Sequence, residues 1–184
     1  MNNFHSGWYL VYTRPCHEKT YYNRLKESKI MAFLPTRKVL RVWHDRKKYV
    51  DDPLFPSYVF IYLKDRQDYY DGMDAEGYLY YVKCGREIAR VQDSVVKNIE
   101  LLTGLDRGLE VSTDRFEPGI RCVISQGALT GVCCELIEYN GARRVLVRVD
   151  LLQRNLLVTL SPECLMVQGA SAVHNPSVRR NASL

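Results

Sequence analysis

Cysteine and histidine have the widest chemical range of any side chains here, and their placement decides what chemistry is open to the chain. Cys16, Cys84, Cys122, Cys133, Cys134 and Cys164 are scattered, with no Cys-x-x-Cys pair and no histidine spacing that would build a zinc site. Cys133 and Cys134 are adjacent, so on a strand they point to opposite faces and do not readily serve one metal. Small buried thiols in a reducing compartment are the expectation. Cys16-His17 and Cys84 are the candidate nucleophiles. Sequence neighbours rarely form a nucleophile and base pair, however, and no acid or oxyanion glycine loop accompanies them. The sequence predicts neither an enzyme nor a metal or cofactor site.

The remaining chemistry is that of binding, and two clusters carry it. Arg37, Lys38, Arg41, Arg46, Lys47 and Lys48 crowd one short stretch against Asp45, in a chain of net charge +5. Their alternation around a polar turn predicts a β-hairpin, read either as a solvated edge kept soluble by its charges or as an arm contacting nucleic acid. The second cluster is Pro53-Leu54-Phe55-Pro56-Ser57-Tyr58-Val59-Phe60-Ile61-Tyr62-Leu63. From Tyr58 it has the apolar, aromatic character of a central strand. Its two prolines precede the strand and are expected to hold Leu54 and Phe55 extended, with Phe55 and Tyr58 facing outward at the rim of the core.

The elements that must position these clusters follow from periodicity. Trp8 to Thr13 predicts a buried strand, Pro15 to Lys29 a helix with Tyr22, Leu25 and Tyr21 on its apolar stripe, and Ile30 to Thr36 a short strand. Beyond the central strand come a helix near Arg66 to Met73, a strand at Tyr78 to Val82, a short extended return at Glu87 to Val91 and a helix capped by Asp93-Ser94. This is an α+β layout with helices packed on a sheet. Residues 104–117 lose the apolar period and read as a linker. Beyond them Gly119 to Ile124, Gly131 to Tyr139, Arg143 to Val149, Leu156 to Leu160 and Cys164 to Val167 predict a small barrel, with a hairpin turn at Asn140-Gly141. The domain reading is thus an N-terminal tail over 1–7, an α+β domain over 8–103, a linker over 104–117, an all-β barrel over 118–168 and a disordered tail over 169–184. No segment approaches the roughly 18 consecutive apolar residues of a membrane span, and no signal region opens the chain, so a cytoplasmic protein is expected.

Trp8-Tyr9, Glu18-Lys19, Leu34-Pro35, the Pro53 to Phe60 run and Val82-Lys83-Cys84-Gly85 together resemble the N-terminal domain of the NusG family of transcription elongation factors. Glu117 to Ile124 and Gly127 to Val132 resemble a KOW module, an SH3-like barrel. Within the family, Asp52-Pro53-Leu54-Phe55-Pro56 is most similar to operon-specific antiterminators such as the UpxY type of capsule loci. The resemblance implies that Tyr12, Phe55, Pro56, Tyr58 and Phe60 form an aromatic depression for the clamp helices of RNA polymerase. It also implies that Arg14, His17, Lys19 and Arg24 face the non-template DNA strand. Arg41, Arg46, Lys47 and Lys48 of the hairpin join them as candidate nucleic-acid contacts, with nascent RNA a further partner. The barrel of relatives recruits a ribosomal protein or a termination factor, or packs back on the N-terminal domain. One departure stands out: Gln67-Asp68-Tyr69-Tyr70 occupies the region of the family's His-Thr-Thr-like element for the polymerase gate loop.

The function expected is therefore a transcription elongation and antitermination factor that promotes processive transcription of specific operons, such as capsule or exopolysaccharide loci. The alternative is an RNA- or ribosome-binding KOW protein.

Overall fold

The computed structural model describes residues 5–167 except for 43, 105–108, 113–118, 126–128, 131, 140–141, 150–151, 153 and 160–164. The N-terminal half runs β1 (Gly7–Thr13), α1 (Glu18–Glu27), β2 (Ala32–Phe33), β3 (Thr36–Val42), β4 (Lys47–Pro53), β5 (Tyr58–Leu63), α2 (Arg66–Asp74), β6 (Tyr78–Tyr81), β7 (Lys83–Cys84), β8 (Glu87–Ile88), β9 (Arg90–Val91) and α3 (Asp93–Thr103). Its main sheet has the order β2-β5-β1-β6, with β9 also paired to β1. The aromatic strand β5 is central, lying antiparallel to β1 from Gly7↔Leu63 to Tyr12↔Tyr58.

Alternation gives this sheet two different faces. Tyr9, Val11, Val59, Ile61, Leu63 and Tyr81 pack with Tyr21 and Leu25 of α1. Leu10 and Phe60 take the opposite face, in an apolar cluster with Val96, Ile99 and Leu102 of α3. On the first face the buried phenols find backbone partners: Tyr21 Oη donates to the Gly72 carbonyl at 2.9 Å and Tyr81 Oη to the Tyr69 carbonyl at 3.0 Å. Gly72 is fixed by this arrangement, because a Cβ there would collide with Tyr81 Oη and sit 3.1 Å from Ile61 Cδ1.

The entry to β5 differs from the extended rim expected of its prolines. Phe55 to Tyr58 is a tight turn closed by the Tyr58 N–H donating to the Phe55 carbonyl at 3.1 Å, with Ser57 at φ 65°. That left-handed conformation is costly for serine. It is held by two bonds from neighbouring elements: the Ser57 N–H donates to buried Glu18 Oε1 at 2.7 Å, and the Thr13 N–H to the Ser57 carbonyl at 2.8 Å. Glu18 can reach the turn because α1 begins at Glu18 rather than at Pro15; Cys16 at φ 63° breaks the helix before it starts. At α3, Asp93 is already helical and Gln92 is the N-cap. The side-chain cap appears instead on α2, where Asp65 Oδ1 accepts from the N–H groups of Gln67 and Asp68.

The second half contains β10 (Leu109–Ser112), β11 (Ile120–Ile124), β12 (Cys133–Tyr139), β13 (Ala142–Val149), β14 (Arg154–Val158) and β15 (Leu165–Val167). They form an antiparallel sheet of order β10-β14-β13-β12-β11-β15. β10 falls inside the segment read as a linker: Leu109 and Val111 pair opposite Val158 and Leu156, and Glu110 forms an ion pair with Arg144 at 2.5 Å. An edge strand this short has too few residues to show a period in the sequence. Leu129, Ile137, Val145 and Leu157 are buried, as expected of core positions. Gly119 allows the chain to pass close to β12, since a Cβ would sit 2.5 Å from the Leu136 carbonyl oxygen. The Asn140-Gly141 turn, Gly131, Cys164 and the segment 169–184 lie outside the described residues.

Two outcomes follow. Glu18→Ala removes the acceptor of the buried Ser57 N–H and should cost about 1–3 kcal/mol in chemical denaturation, whereas Glu18→Gln, which keeps an acceptor oxygen, should cost distinctly less. Burial also raises the Tyr21 and Tyr81 phenols and pushes the Cys134 thiol up to about 12 from a usual 9.0. These groups are neutral in the fold and ionise earlier in the unfolded chain, so stability present below pH 9.0 should fall progressively as pH rises toward about 12. A denaturation series across that range checks it, with Cys122 and Cys134 resisting alkylation at pH 8 while exposed Cys16, Cys84 and Cys133 react.

Candidate partner and nucleic-acid interfaces

Five positions were expected to form an aromatic depression, and the fold brings three of them onto one sheet face. Tyr12 and Tyr58 are register partners on β1 and β5, their rings edge-on with centroids 5.0 Å apart. Phe60 lies two residues further along β5 on the same face, which settles its orientation. Tyr80 of β6 completes the row: it is the register partner of Tyr12 on the other side and stacks on it at 5.0 Å and 16°. Sequence reading missed Tyr80, and the available signal was the alternation of Tyr78-Leu79-Tyr80-Tyr81 once β6 is placed beside β1.

Exposure divides this set. Tyr80 is 51% exposed, Pro56 is exposed at the turn, and Tyr12 and Tyr58 are half-buried. Phe55, expected to face outward with Tyr58, is 2% exposed, and Phe60 is 1% exposed. The tight turn at Pro56 and Ser57 accounts for the correction, because it folds Phe55 back against Phe60, with centroids 6.4 Å apart and an edge-on geometry. Leu10, Phe55 and Phe60 belong to a continuous apolar cluster that also takes in Val147 and Leu156 of the second sheet. Burial raises the Tyr58 phenol, the neighbouring Tyr80 and Tyr12 add to that, and Arg154 opposes them.

The basic residues expected on α1 are not equivalent. Arg14 and Lys19 are exposed. His17 sits at the N-cap, its Nδ1 3.0 Å from the Pro15 carbonyl. Arg24 is committed elsewhere, bonding Glu27 at 2.9 Å and Glu76 at 3.3 Å, and these carboxylates hold its guanidinium firmly protonated. Nucleic acid would have to displace two carboxylates to use it. On the hairpin, Arg41 is likewise paired, with Asp52 at 2.8 Å, and Arg46, Lys47 and Lys48 are exposed at and beside the tip. Tyr69, in the segment that departs from the family pattern, stacks on Tyr81 at 4.7 Å, while Tyr70 is 58% exposed.

No group of acidic, histidine and cysteine side chains suited to a metal occurs among the described residues. No helix among them is long and apolar enough to cross a membrane.

Comparison with known proteins places this geometry. Residues 6–100, just over half of the chain, match the family model NusG, described as transcription termination factor NusG. Among solved structures, the chain is similar to one titled domain interaction in Thermotoga maritima NusG, at 20% identity over 89% of this chain and 98% of that one, with a TM-score of 0.47. It is also similar to the MjSpt4:Spt5 complex in conformation B, at 14% identity over 88% and 96% of the two chains, with a TM-score of 0.28. The match covers the two-faced sheet and all three helices, bar the end of the last: this chain belongs to the NusG family of transcription factors.

Proposed function

We propose that the chain is a transcription elongation and antitermination factor that docks on the clamp helices of RNA polymerase through the Tyr58-Tyr12-Tyr80 row, with Pro56 at its rim. The observation that carries this reading is the row itself: three tyrosines in ring contact across three adjacent strands, Tyr12 stacked on Tyr80 and edge-on to Tyr58, with Tyr80 half exposed. Rigid aromatic anchors of this kind suit a partner helix. Phe55 and Phe60 form the floor beneath the row. Both are buried, so exposed Tyr80 and Pro56 make the first contact.

The antitermination reading, and with it the assignment to specific operons such as capsule loci, rests on the likeness of Asp52-Pro53-Leu54-Phe55-Pro56 to specialised antiterminators. Arg14, His17 and Lys19 at the start of α1 would face the non-template strand. Residues 118–168 would act as a KOW barrel recruiting a ribosomal protein.

The test is polymerase capture followed by a terminator read-through assay. Tyr80→Ala should weaken polymerase binding at least tenfold, as truncation of an interface anchor does, and should shift the thermal midpoint by no more than about 2 °C, as surface substitutions do. Tyr58→Ser should act in the same direction. Unchanged capture by Tyr80→Ala, or a loss that only tracks unfolding, would overturn the assignment. Phe55→Ala does not discriminate, since emptying a buried phenylalanine site costs about 3–5 kcal/mol of stability by itself.

A further inference from the structure

Among the described residues, the hairpin of β3 and β4 pairs with no other strand and forms a two-stranded sheet of its own. Its register sets Lys38 opposite Asp51, Leu40 opposite Tyr49 and Val42 opposite Lys47 on one face. The other face carries Arg37, Val39 and Arg41 opposite Asp52, Val50 and Lys48. On the first face Tyr49 is 67% exposed, Val42 65% and Leu40 46%, an unusual concentration of large apolar side chains in water on a two-stranded arm. They stand in a strongly basic setting: six cations and three carboxylates leave the arm at +3, more than half of the chain's +5. Lys38 and Lys47 flank the tyrosine on this face, with Asp51 across from Lys38, while on the other face Arg41 is engaged by Asp52.

We propose that this face binds single-stranded RNA, with Tyr49 stacking on an unpaired base over Leu40 and with Lys38 and Lys47 on the flanking phosphates. Cations beside an exposed ring match a partner with both a phosphate backbone and accessible π-faces. A duplex offers the first and hides the second. Successive rows on one strand face lie about 6.8 Å apart, so Lys38, the Leu40 and Tyr49 pair, and Lys47 can follow an extended strand past the ring. Asp51, in the row next to Tyr49, selects RNA over DNA: a carboxylate repels phosphate but accepts a hydrogen bond from a 2′-hydroxyl. The proposal deepens the reading of the hairpin cations as nucleic-acid contacts. It depends on the polymerase-docking function only for the source of the RNA, the emerging transcript.

The test is fluorescence anisotropy of labelled oligouridine with the full chain across a salt series. Wild-type protein should bind with a clear salt dependence. Tyr49→Ala should raise Kd roughly 5- to 150-fold with the salt slope unchanged, because stacking is lost and the phosphate contacts are kept. Tyr49→Phe should bind like the wild type, and Lys47→Gln should lower the salt slope by about 0.7. The exposure of Tyr49 keeps these variants folded, which the thermal midpoint verifies. The proposal is overturned if oligouridine does not bind, if Tyr49→Ala binds equally well, or if oligothymidine or an RNA duplex competes as strongly. Loss of polymerase capture by Tyr49→Ala would also overturn it, by making the arm a protein contact. A wild-type chain that fails to capture polymerase yet shows this RNA pattern would remove the docking function and leave the RNA site standing.

Discussion

A single buried carboxylate ties the helix layer to the aromatic strand. Glu18 accepts the Ser57 N–H at 2.7 Å, and Ser57 is the left-handed residue of the turn that launches β5. Without that acceptor, the N–H would be orphaned at a position where the backbone is already strained. The turn sets the depth of Phe55, the exposure of Pro56 and the position at which Tyr58 enters the sheet opposite Tyr12. A side chain on α1 therefore helps to fix the proposed interface through the Ser57 backbone.

The two sheet faces have different thermodynamic roles. The face under α1 is closed by buried phenols that donate to backbone carbonyls, an arrangement that tolerates little change because Gly72 leaves no spare volume beside the Tyr81 hydroxyl. The other face is graded, from buried Leu10 and Phe60 through half-buried Tyr12 and Tyr58 to half-exposed Tyr80. Its apolar floor belongs to a cluster that also contains Val147 and Leu156 of the second sheet.

Much of this was legible in the sequence, for identifiable reasons. β1, the basic hairpin and α2 lie within a residue or two of their expected spans, and β5 begins at Tyr58, where the continuous apolar run begins. Contacts made across the chain were not legible. Nothing local says that Arg24 meets Glu76 or that Arg41 meets Asp52, and both were read as available cations. Phe55 turns inward because Pro56 with a left-handed residue after it closes a turn instead of extending the chain. Serine is an uncommon occupant of that second position, and the support that permits it comes from 39 residues away. Tyr80 escaped notice because it belongs to the site only through the register of β6 on β1.

The central claim is that the tyrosine row meets polymerase. The most direct measurement replaces Tyr80 with a photo-crosslinking phenylalanine analogue in the full chain and irradiates the complex with polymerase. An adduct mapped to the clamp helices is the expected result. No adduct from this position, together with efficient adducts from exposed Tyr70 on α2, would contradict it.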